Sequence, residues 1–569
     1  MPRLTGQPSW RLDSDECEAA LVGEVKISSQ SRPPQAHDPA EPPPPPPPDV
    51  AACQSALSYM TCWGVDAAFD RQCHSDIGLR PPLPQVTYGV RGHGGHFSFL
   101  TPRGQAGTAA HHRWQCSAHL TALHSIAAVS LSNTLMMCPG HDEVRNVCSS
   151  LVTHFSVVLP EKLPLFCAPS LSLLARHYVD AVEEVQQAAR ALMEGTLQRM
   201  SNEVRQQIVN AWAPRVLRLG RGGASPDLTS PQGVSLLVLA VLASRFAVGL
   251  EPDVSSVLVT HLLQLLSSPS ELTRVAAAEL LGKGYATWRP HLADPAVLIK
   301  QLFRLSADQA AKQSAAAATG SQAQPAGKTG PGGAAGAPSA AASLPNRYHA
   351  ALLSVAVVEP RAFCQAMGEQ AVLMGGVASA RVAAVTALIS LVKARGVSLE
   401  EELPAVVEAV IKPLDPSVPS LREGCLSAST SALRELVKRY PMMAFNQGTQ
   451  RLAVGTVDGV VLIYDLRTAT KWRILQGHEA AISALAFSPG GESVASFSVL
   501  DGTLRWWQAG SSGLFSFLGL QGSCIHVTHL NEVAAQALPQ AALLQLEWTS
   551  ASQVMLSCNK QTLGVYSPK

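Results

Sequence analysis

The sequence predicts a mainly α-helical protein with β structure at its carboxyl end, that is, a HEAT/armadillo-like solenoid followed by the blades of an incomplete β-propeller. Two observations predict this fold class. Apolar residues recur at helical spacing up to about residue 440, and after Pro441 their period changes from 3.6 to 2. The 569 residues provide enough length for three to four domains.

Composition and charge exclude several classes of protein. The chain has 43 Lys and Arg against 42 Asp and Glu, so it lacks the single-sign field that binds nucleic acid. Its 12 cysteines form no C-x-x-C pair, which predicts reduced thiols and a cytoplasmic protein. The amino end lacks the pattern of a secretory signal, and the most apolar stretch, at 234–244, is shorter than the roughly 20 residues that cross a bilayer. We therefore expect membrane contact only through partners.

Two tracts have too few apolar residues to build a core. Residues 1–50 end in seven prolines, which predicts a disordered segment that is either a spacer or an SH3 or WW ligand. The Ala/Gly/Ser/Pro tract 306–343 predicts a disordered linker. The other predicted segments are an irregular or helical segment at 51–165, solenoid blocks at 166–305 and 344–440, and blades at 441–569.

Helical spacing is clearest in two places. Between 170 and 195 one amphipathic helix is predicted, with Leu174, Tyr178, Val182, Val185, Ala189 and Leu192 on its apolar face. From Ser268 to Gly284 a second helix is predicted, with Ser268 and Glu271 as a capping box. Similar helices fit 233–249, 253–267, 379–394, 401–412 (ended by Pro413) and 421–440. Short helices without intervening strands favour stacked helical hairpins.

Two strand-turn-strand units follow Pro441, each closed by an aromatic-polar pair. The pairs Tyr464-Asp465 and Trp507-Gln508 lie 43 residues apart, within the period of WD40 blades. A poorer third unit ends at Tyr566, where a blade tryptophan is expected. Because propellers close with four to eight blades, we expect the missing blades to come from elsewhere.

The second unit contains the polar residues of a blade network. The spacing predicts that Asp501 accepts a hydrogen bond from His478, which in turn reaches Ser496 and Trp507. Together with Tyr464 and Asp465 of the first unit, these are the predicted structural blade residues. His478 follows a glycine, a context that favours a structural histidine over a catalytic base, and Trp506 is predicted to pack between blades.

The strongest competing site is the histidine-rich stretch HHRWQCSAHLTALH from His111 to His124. On a helix, His112, Cys116 and His119 would share one face and be able to hold zinc, but no second ligand pair is visible. The sequence therefore predicts a solvated or partner-facing helix and no metal. Phosphate-loop, nucleophile-elbow and H-E-x-x-H motifs are also missing, which predicts no cofactor and no catalysis.

Seven sequence runs carry a resemblance to a known family. They are WGVD from Trp63, RPPLPQVTYGVRGHGGHFSFLTP from Arg80, SLSNTLMM from Ser130, NAWAP from Asn210, AAAELLGKGYATWRPHL from Ala276, YHAALLSVAVVEPRAF from Tyr348, and both blade units from Arg451 to Gln508. In these runs the chain resembles the carboxyl-terminal half of the rabconnectin-3 beta-subunit family, that of WD repeat-containing proteins 7 and 72. Departures from the family pattern are Tyr464, Gln508 and the stretch 103–165.

The resemblance implies a non-catalytic scaffold. Such a protein would pair with a rabconnectin-3 alpha-type subunit and regulate the vacuolar-type (V-type) proton ATPase, and so the acidification and trafficking of synaptic and endosomal vesicles. The chain would then be cytoplasmic and lie peripherally on intracellular vesicles. The alternative is a coat-like or tethering module of vesicle traffic with no tie to the pump, because solenoid and propeller are also combined in vesicle coats.

Overall fold

The computed structural model describes residues 50–81, 87–92, 95–100, 114–136, 150–151, 153–220, 227–320, 346–373, 378–395, 399–509 and 524–568. Residues 1–49, for which the sequence predicts disorder, lie outside this part of the chain. The contacts divide the chain into two compact units, Met1–His261 with Ser268–Ala276, and Leu262–Ser267 with Ala277–Lys569. The predicted fold class is confirmed, since helices precede antiparallel sheets.

In its described residues the first unit is helical apart from one hairpin. Its elements are α1 Val50–Met60, α2 Ala67–Ile77, β1 Thr87–Gly92, β2 Gly95–Leu100, α3 Ala118–Met136, a π-helix His154–Val158, α4 Leu159–Lys162, α5 Leu171–Arg176, α6 Glu183–Arg199, α7 Asn202–Leu217, α8 Pro231–Arg245 and α9 Pro252–Leu265, of which the residues from Leu262 onward belong to the second unit. The prediction of no strands among the helices is wrong at β1 and β2, which pair antiparallel with Thr87 opposite Leu100.

The single amphipathic helix predicted from 170 to 195 is two helices. A short 3-10 turn follows α5, and the Asp180 carboxylate then accepts hydrogen bonds from the Val182 amide (2.9 Å) and the His177 ring (2.8 Å). An aspartate that bonds the backbone two residues ahead favours a turn over a helix. Val182, which we expected on the apolar face, is therefore exposed.

The most apolar stretch of the chain forms the core helix of the first unit. Every residue of α8 from Gly233 to Ala243 is buried. Ser230 caps its amino end by accepting from the Gly233 amide, and Pro231 occupies the first helical position, where a missing N–H leaves no hydrogen bond unmade. None of the helices in the described ranges is long and apolar enough to span a bilayer.

The helices of the second unit stack as the solenoid prediction requires. They are α10 Glu271–Lys283, which begins at the boundary of the units, α11 Tyr285–Trp288, α12 Pro295–Gly320, α13 Arg347–Val358, α14 Pro360–Val372, α15 Ala378–Arg395, α16 Leu403–Ile411 and α17 Pro419–Arg439. From α12 onward each helix contacts the next along the chain and the one after it. That is the contact pattern of stacked helical hairpins.

Three helix boundaries differ from the sequence predictions. The amino end of α10 is capped by Ser270, which accepts from the Thr273 amide, and not by Ser268. The helix predicted to end at Pro413 ends two residues earlier, at Ile411, and Pro413 lies in the 3-10 turn that follows α16. Residues 306–320 of the tract predicted to be a disordered linker are helical, because α12 continues to Gly320 through an alanine-rich segment of high helix propensity. The remainder of that tract, 321–343, lies outside the described residues.

The blades follow directly. The first is a four-stranded sheet of β3 Met443–Asn446, β4 Arg451–Gly455, β5 Val460–Asp465 and β6 Thr470–Gln476. The second is formed by β7 Ala484–Phe487, β8 Ser493–Ser498, β9 Thr503–Gln508 and β10 Cys524–His529. A helix, α18 Asn531–Ala537, leads to the three-stranded third sheet of β11 Leu544–Trp548, β12 Val554–Cys558 and β13 Gln561–Tyr566.

The sheets stack in chain order, with β7 of the second in contact with β3 of the first and β11 of the third. The central strands β4 and β5 of the first sheet are buried on both faces, whereas its outer strand β6 is largely exposed. In the third sheet, β11 alternates buried Leu544 and Leu546 with exposed Gln545 and Glu547. The stack is therefore an incomplete propeller within the described residues. The origin of further blades stays a prediction.

Candidate functional site in the blades

The second blade places its histidine by a close backbone approach. His478 lies in the segment between β6 and β7, and Gly477 before it packs against the indole of Trp507. A Cβ at Gly477 would come within 3.0 Å of the Trp507 ring and 2.8 Å of an Arg505 nitrogen. Packing therefore requires a glycine at position 477, because any side chain there would push the His478 imidazole away from β8 and β9.

The structure brings the four predicted residues of this blade together. The Trp507 Nε1–H donates to Ser496 Oγ at 2.7 Å, and Ser496 lies 2.8 Å from His478 Nε2. His478 Nδ1 lies 2.8 Å from an Asp501 carboxylate oxygen. One proton arrangement satisfies all three contacts, with Ser496 donating to Nε2 and Nδ1–H donating to Asp501. The hydrogen bonds join the tryptophan to the histidine through the serine hydroxyl, and the two rings also lie side by side with centroids 6.2 Å apart.

Burial fixes the protonation states in this network. Burial lowers the pKa of His478 and outweighs the opposing effect of Asp501, so the ring is neutral at neutral pH. Burial raises the pKa of Asp501, but hydrogen bonds from Thr503 and His478 outweigh it and hold that pKa below its usual value. A neutral histidine beside a charged aspartate is also what the hydrogen-bond directions require.

Sequence reasoning missed the fifth member, Thr503. Its backbone amide and its hydroxyl both bond Asp501 Oδ1, at 2.9 and 2.7 Å, and the hydroxyl lies 3.1 Å from His478 Nδ1. The signal was available, because a threonine two residues after a turn aspartate is placed to close an Asx turn. With the carboxylate engaged on both oxygens and the ring on both nitrogens, these buried side chains form a hydrogen-bond network that stabilises the blade.

The first blade uses its two predicted residues differently. Tyr464 is buried, and its hydroxyl donates to Glu408 of α16 at 3.1 Å, which links the sheet to the helices of the same unit. Lys471 pairs with the same carboxylate at 3.0 Å. Asp465 instead accepts two hydrogen bonds from the guanidinium of Arg467, at 3.1 and 2.7 Å. Burial raises the pKa of Tyr464, and the nearby Glu408 raises it further, so the phenol stays protonated.

The second and third sheets share an apolar core. Trp506 is 1% exposed and packs in one cluster with Leu544, Leu546, Val554 and Leu556 of the third sheet. The Trp548 Nε1–H donates to the Ala486 carbonyl at 3.2 Å, across the two sheets. Trp506 therefore lies between blades, as its position beside Trp507 predicts.

In the described part of the histidine-rich stretch, the helix does not extend back to Cys116, whereas the zinc alternative requires it to do so. Helix α3 begins only at Ala118, so Cys116 lies in the preceding turn and the helical spacing of three ligands does not apply. His111 and His112 lie outside the described residues. Within the described ranges no group of three or more His, Cys, Asp or Glu side chains is placed to hold a metal ion.

One buried histidine in the first unit was not singled out in the sequence. His154 of the π-helix stacks on Phe69 with ring centroids 3.6 Å apart, and both ring nitrogens are buried with no hydrogen-bond partner among the described residues. Burial lowers its pKa to about 4. The ring lines a cavity of about 370 Å³ together with Asp66, Phe69 and Thr153. Neutral at physiological pH, His154 makes this region sensitive to acid.

Comparison with known proteins gives one family match. The model of the WD domain, G-beta repeat, matches residues 470–508, which run from β6 through β9. The network of His478, Ser496, Asp501 and Trp507 lies within the matched residues.

Three solved structures are similar to parts of the chain. Kluyveromyces lactis Hsv2 has 13% identity and a TM-score of 0.15, covering 21% of this chain and 38% of that chain. A chain of the Mitotic Checkpoint Complex has 19% identity and a TM-score of 0.13, covering 23% and 40%. Chaetomium thermophilum Raptor has 14% identity and a TM-score of 0.18, covering 78% and 49%. This chain spans less than half of each, and scores this low define neither its fold nor its role.

Together the WD repeat, the stacked helices and the engaged polar network define a WD-repeat protein with the architecture of a protein-interaction scaffold. The sheets and stacked helices offer broad surfaces for contacts with protein partners.

Proposed function

We propose that the protein is a non-catalytic scaffold that pairs with a rabconnectin-3 alpha-type subunit and regulates the V-type proton ATPase, and so the acidification and trafficking of synaptic and endosomal vesicles. It would be cytoplasmic and lie peripherally on vesicles through these partners. The observation that carries the proposal is the ordered set of sequence runs, from Trp63 to Gln508, in which the chain resembles the rabconnectin-3 beta-subunit family.

Two of those runs pack against each other in the helical block. This contact supports the interpretation that the resemblance extends to the fold of that block. The run from Ala276 supplies Gly282, where an added Cβ would come within 2.8 Å of the Ala351 Cα in the run from Tyr348. Arg289 of the first run pairs with Glu359 of the second. Close packing makes a substitution in one run costly for the other, so we expect the two runs to occur together in proteins that share this helical block.

The experiment is affinity purification of the tagged full chain from the cells that produce it, followed by mass spectrometry. We expect the alpha-type subunit and V-type ATPase subunits to be enriched. Asp501→Ala, which removes the acceptor of the blade network, should reduce their recovery. Asp458→Ala, a change in the corresponding turn of the first blade at an exposed aspartate, is the matched control and should leave recovery unchanged.

A different set of partners would contradict the proposal. Enrichment of coat or tether subunits without the pump would favour the alternative, a coat-like or tethering module. Equal recovery from both aspartate variants would show that the blades do not contribute to binding.

A further inference from the structure

A cluster of arginines surrounds an indole at one edge of the first blade. Trp472 lies on the outer strand β6, and the guanidinium carbons of Arg451 and Arg473 lie 3.3 and 4.4 Å from the centroid of its ring. Arg467 lies at the start of the turn between β5 and β6, and its side chain is 62% exposed. We call Arg451, Arg467 and Arg473, with Trp472, the arginine cluster.

The guanidinium groups are held in place by the fold. Arg451 donates to the carbonyl of Ala509 at 3.3 Å, and Arg473 donates to that of Gln508 at 3.2 Å, both at the end of β9. Stacking on the indole orients both groups further. A guanidinium that is already oriented loses less conformational entropy when it binds a ligand.

The cluster has more positive than negative charge. The carboxylate of Asp465 lies against two of the three guanidinium groups: its side chain is only 8% exposed, accepts two hydrogen bonds from Arg467 and interacts electrostatically with Arg451. Burial lowers the pKa of Arg451, and the charges of Arg467 and Arg473 lower it further, although Asp465 opposes them. Like charges this close are costly to hold together, and an added anion would relieve the repulsion.

We propose that the arginine cluster binds a partner's peptide segment rich in Asp and Glu. The bidentate Asp465 pair shows how one carboxylate fits an arginine here, and the same planar geometry is open to a peptide carboxylate at a second arginine. A local cluster in a chain of net charge +1 suits a short acidic segment better than a nucleic acid, which needs an extended basic field. This inference rests on the proposed scaffold role but does not require the proton pump. Binding of an acidic segment and regulation of the pump can therefore be tested, and can fail, separately.

The test is fluorescence anisotropy of a labelled deca-glutamate peptide titrated with the full chain, with a deca-serine peptide as a reference. We expect saturable binding of deca-glutamate that weakens at least threefold between about 50 and about 200 mM NaCl, because added salt screens exposed charges. Deca-serine should not bind. Binding of both peptides alike, or of neither, would overturn the proposal.

Paired variants locate the site. The double variant Arg467→Gln with Arg473→Gln should weaken binding at least fivefold. The double variant Arg304→Gln with Arg361→Gln removes the same charge from exposed positions on α12 and α14, and should change binding less than twofold. Equal weakening by the two double variants would show attraction by net charge alone and would overturn the proposal.

Two further measurements remove the remaining ambiguities. Arg467→Lys with Arg473→Lys keeps the charges but removes the bidentate geometry, so it should bind more weakly than the parent and more tightly than the glutamine variant. A loss as large as that of the glutamine variant would contradict a contribution of charge, and binding equal to that of the parent would contradict the bidentate geometry. Vesicles of phosphatidylcholine with about 30% phosphatidylserine probe a membrane instead. Binding to these vesicles that needs the two arginines, without binding to the peptide, would replace the acidic segment with a lipid surface.

Discussion

Asp501→Ala is the most informative single change, because four hydrogen bonds end on that carboxylate. It accepts from His478 Nδ1 (2.8 Å), from the Glu479 amide (3.1 Å), and from the amide and hydroxyl of Thr503 (2.9 and 2.7 Å). Removing it leaves the buried His478 N–H and the buried Thr503 donors without an acceptor, whereas the Glu479 amide is exposed to water. At about 1 to 3 kcal/mol for each buried unsatisfied group, we expect a loss of about 3 kcal/mol.

The assay is native-state hydrogen exchange of the backbone amides of β8 and β9, which follows this sheet alone in a chain of more than one unit. A loss of about 3 kcal/mol corresponds to exchange about two orders of magnitude faster. Asp458→Ala occupies the corresponding turn of the first blade, where the aspartate is exposed, and should cost less than about 0.5 kcal/mol. Equal protection of β8 and β9 in the parent and in Asp501→Ala would refute the proposed network.

Four other substitutions test three separate parts of the fold. His154→Phe should remove most of the acid sensitivity of the first unit. The pKa of His154 is about 4 in the folded protein and 6.5 in the unfolded chain, so protonation favours unfolding. The free energy of unfolding therefore falls as the pH drops from about 6.5 toward 4. Between about pH 7.5 and 5, titration of this histidine lowers the free energy of unfolding by about 2 kcal/mol. Hydrogen exchange of the α2 amides, corrected for intrinsic rates, should show that difference between the two pH values in the parent and not in the variant. Gly282→Ala should destabilise α10 by about 1 to 3 kcal/mol, because the added Cβ would overlap Ala351. Gly424→Ala, where an added Cβ meets nothing within 4 Å, should stabilise α17 by about 0.5 to 1 kcal/mol. If both variants shifted the midpoint of thermal unfolding in the same direction, the close packing of Gly282 against Ala351 would be contradicted. Tyr464→Phe should weaken protection of β5 by about 1 kcal/mol through loss of its bond to Glu408, and unchanged exchange would show that this link adds no stability.

The sequence carried the features that depend on local pattern. Helical spacing located α8, α15 and α17 to within a few residues, and the change of period located the blades. The members of the second-blade network were also readable, because the Gly-His pair, the Asp-Gly turn and the tryptophan stand at fixed spacing in one repeat.

Features that depend on contacts between residues far apart in the sequence could not be predicted from it. Tyr464 looked like a weak substitute for a blade tryptophan, and nothing near it indicates that its hydroxyl reaches Glu408, 56 residues earlier. The arginine cluster likewise joins β4 and β6 with the end of β9, so its residues are scattered in the sequence. At Asp180 the apolar stripe continued through the turn, and periodicity alone does not detect a side chain that bonds its own backbone.

The most direct test of the central claim is the luminal pH of intracellular vesicles, measured with a ratiometric pH-sensitive probe in cells with and without this protein. The proposed role in regulating the V-type proton ATPase predicts that vesicles acidify less when the protein is removed, and that the parent chain and Asp458→Ala restore acidification more fully than Asp501→Ala. A luminal pH that does not change on removal of the protein would contradict the claim.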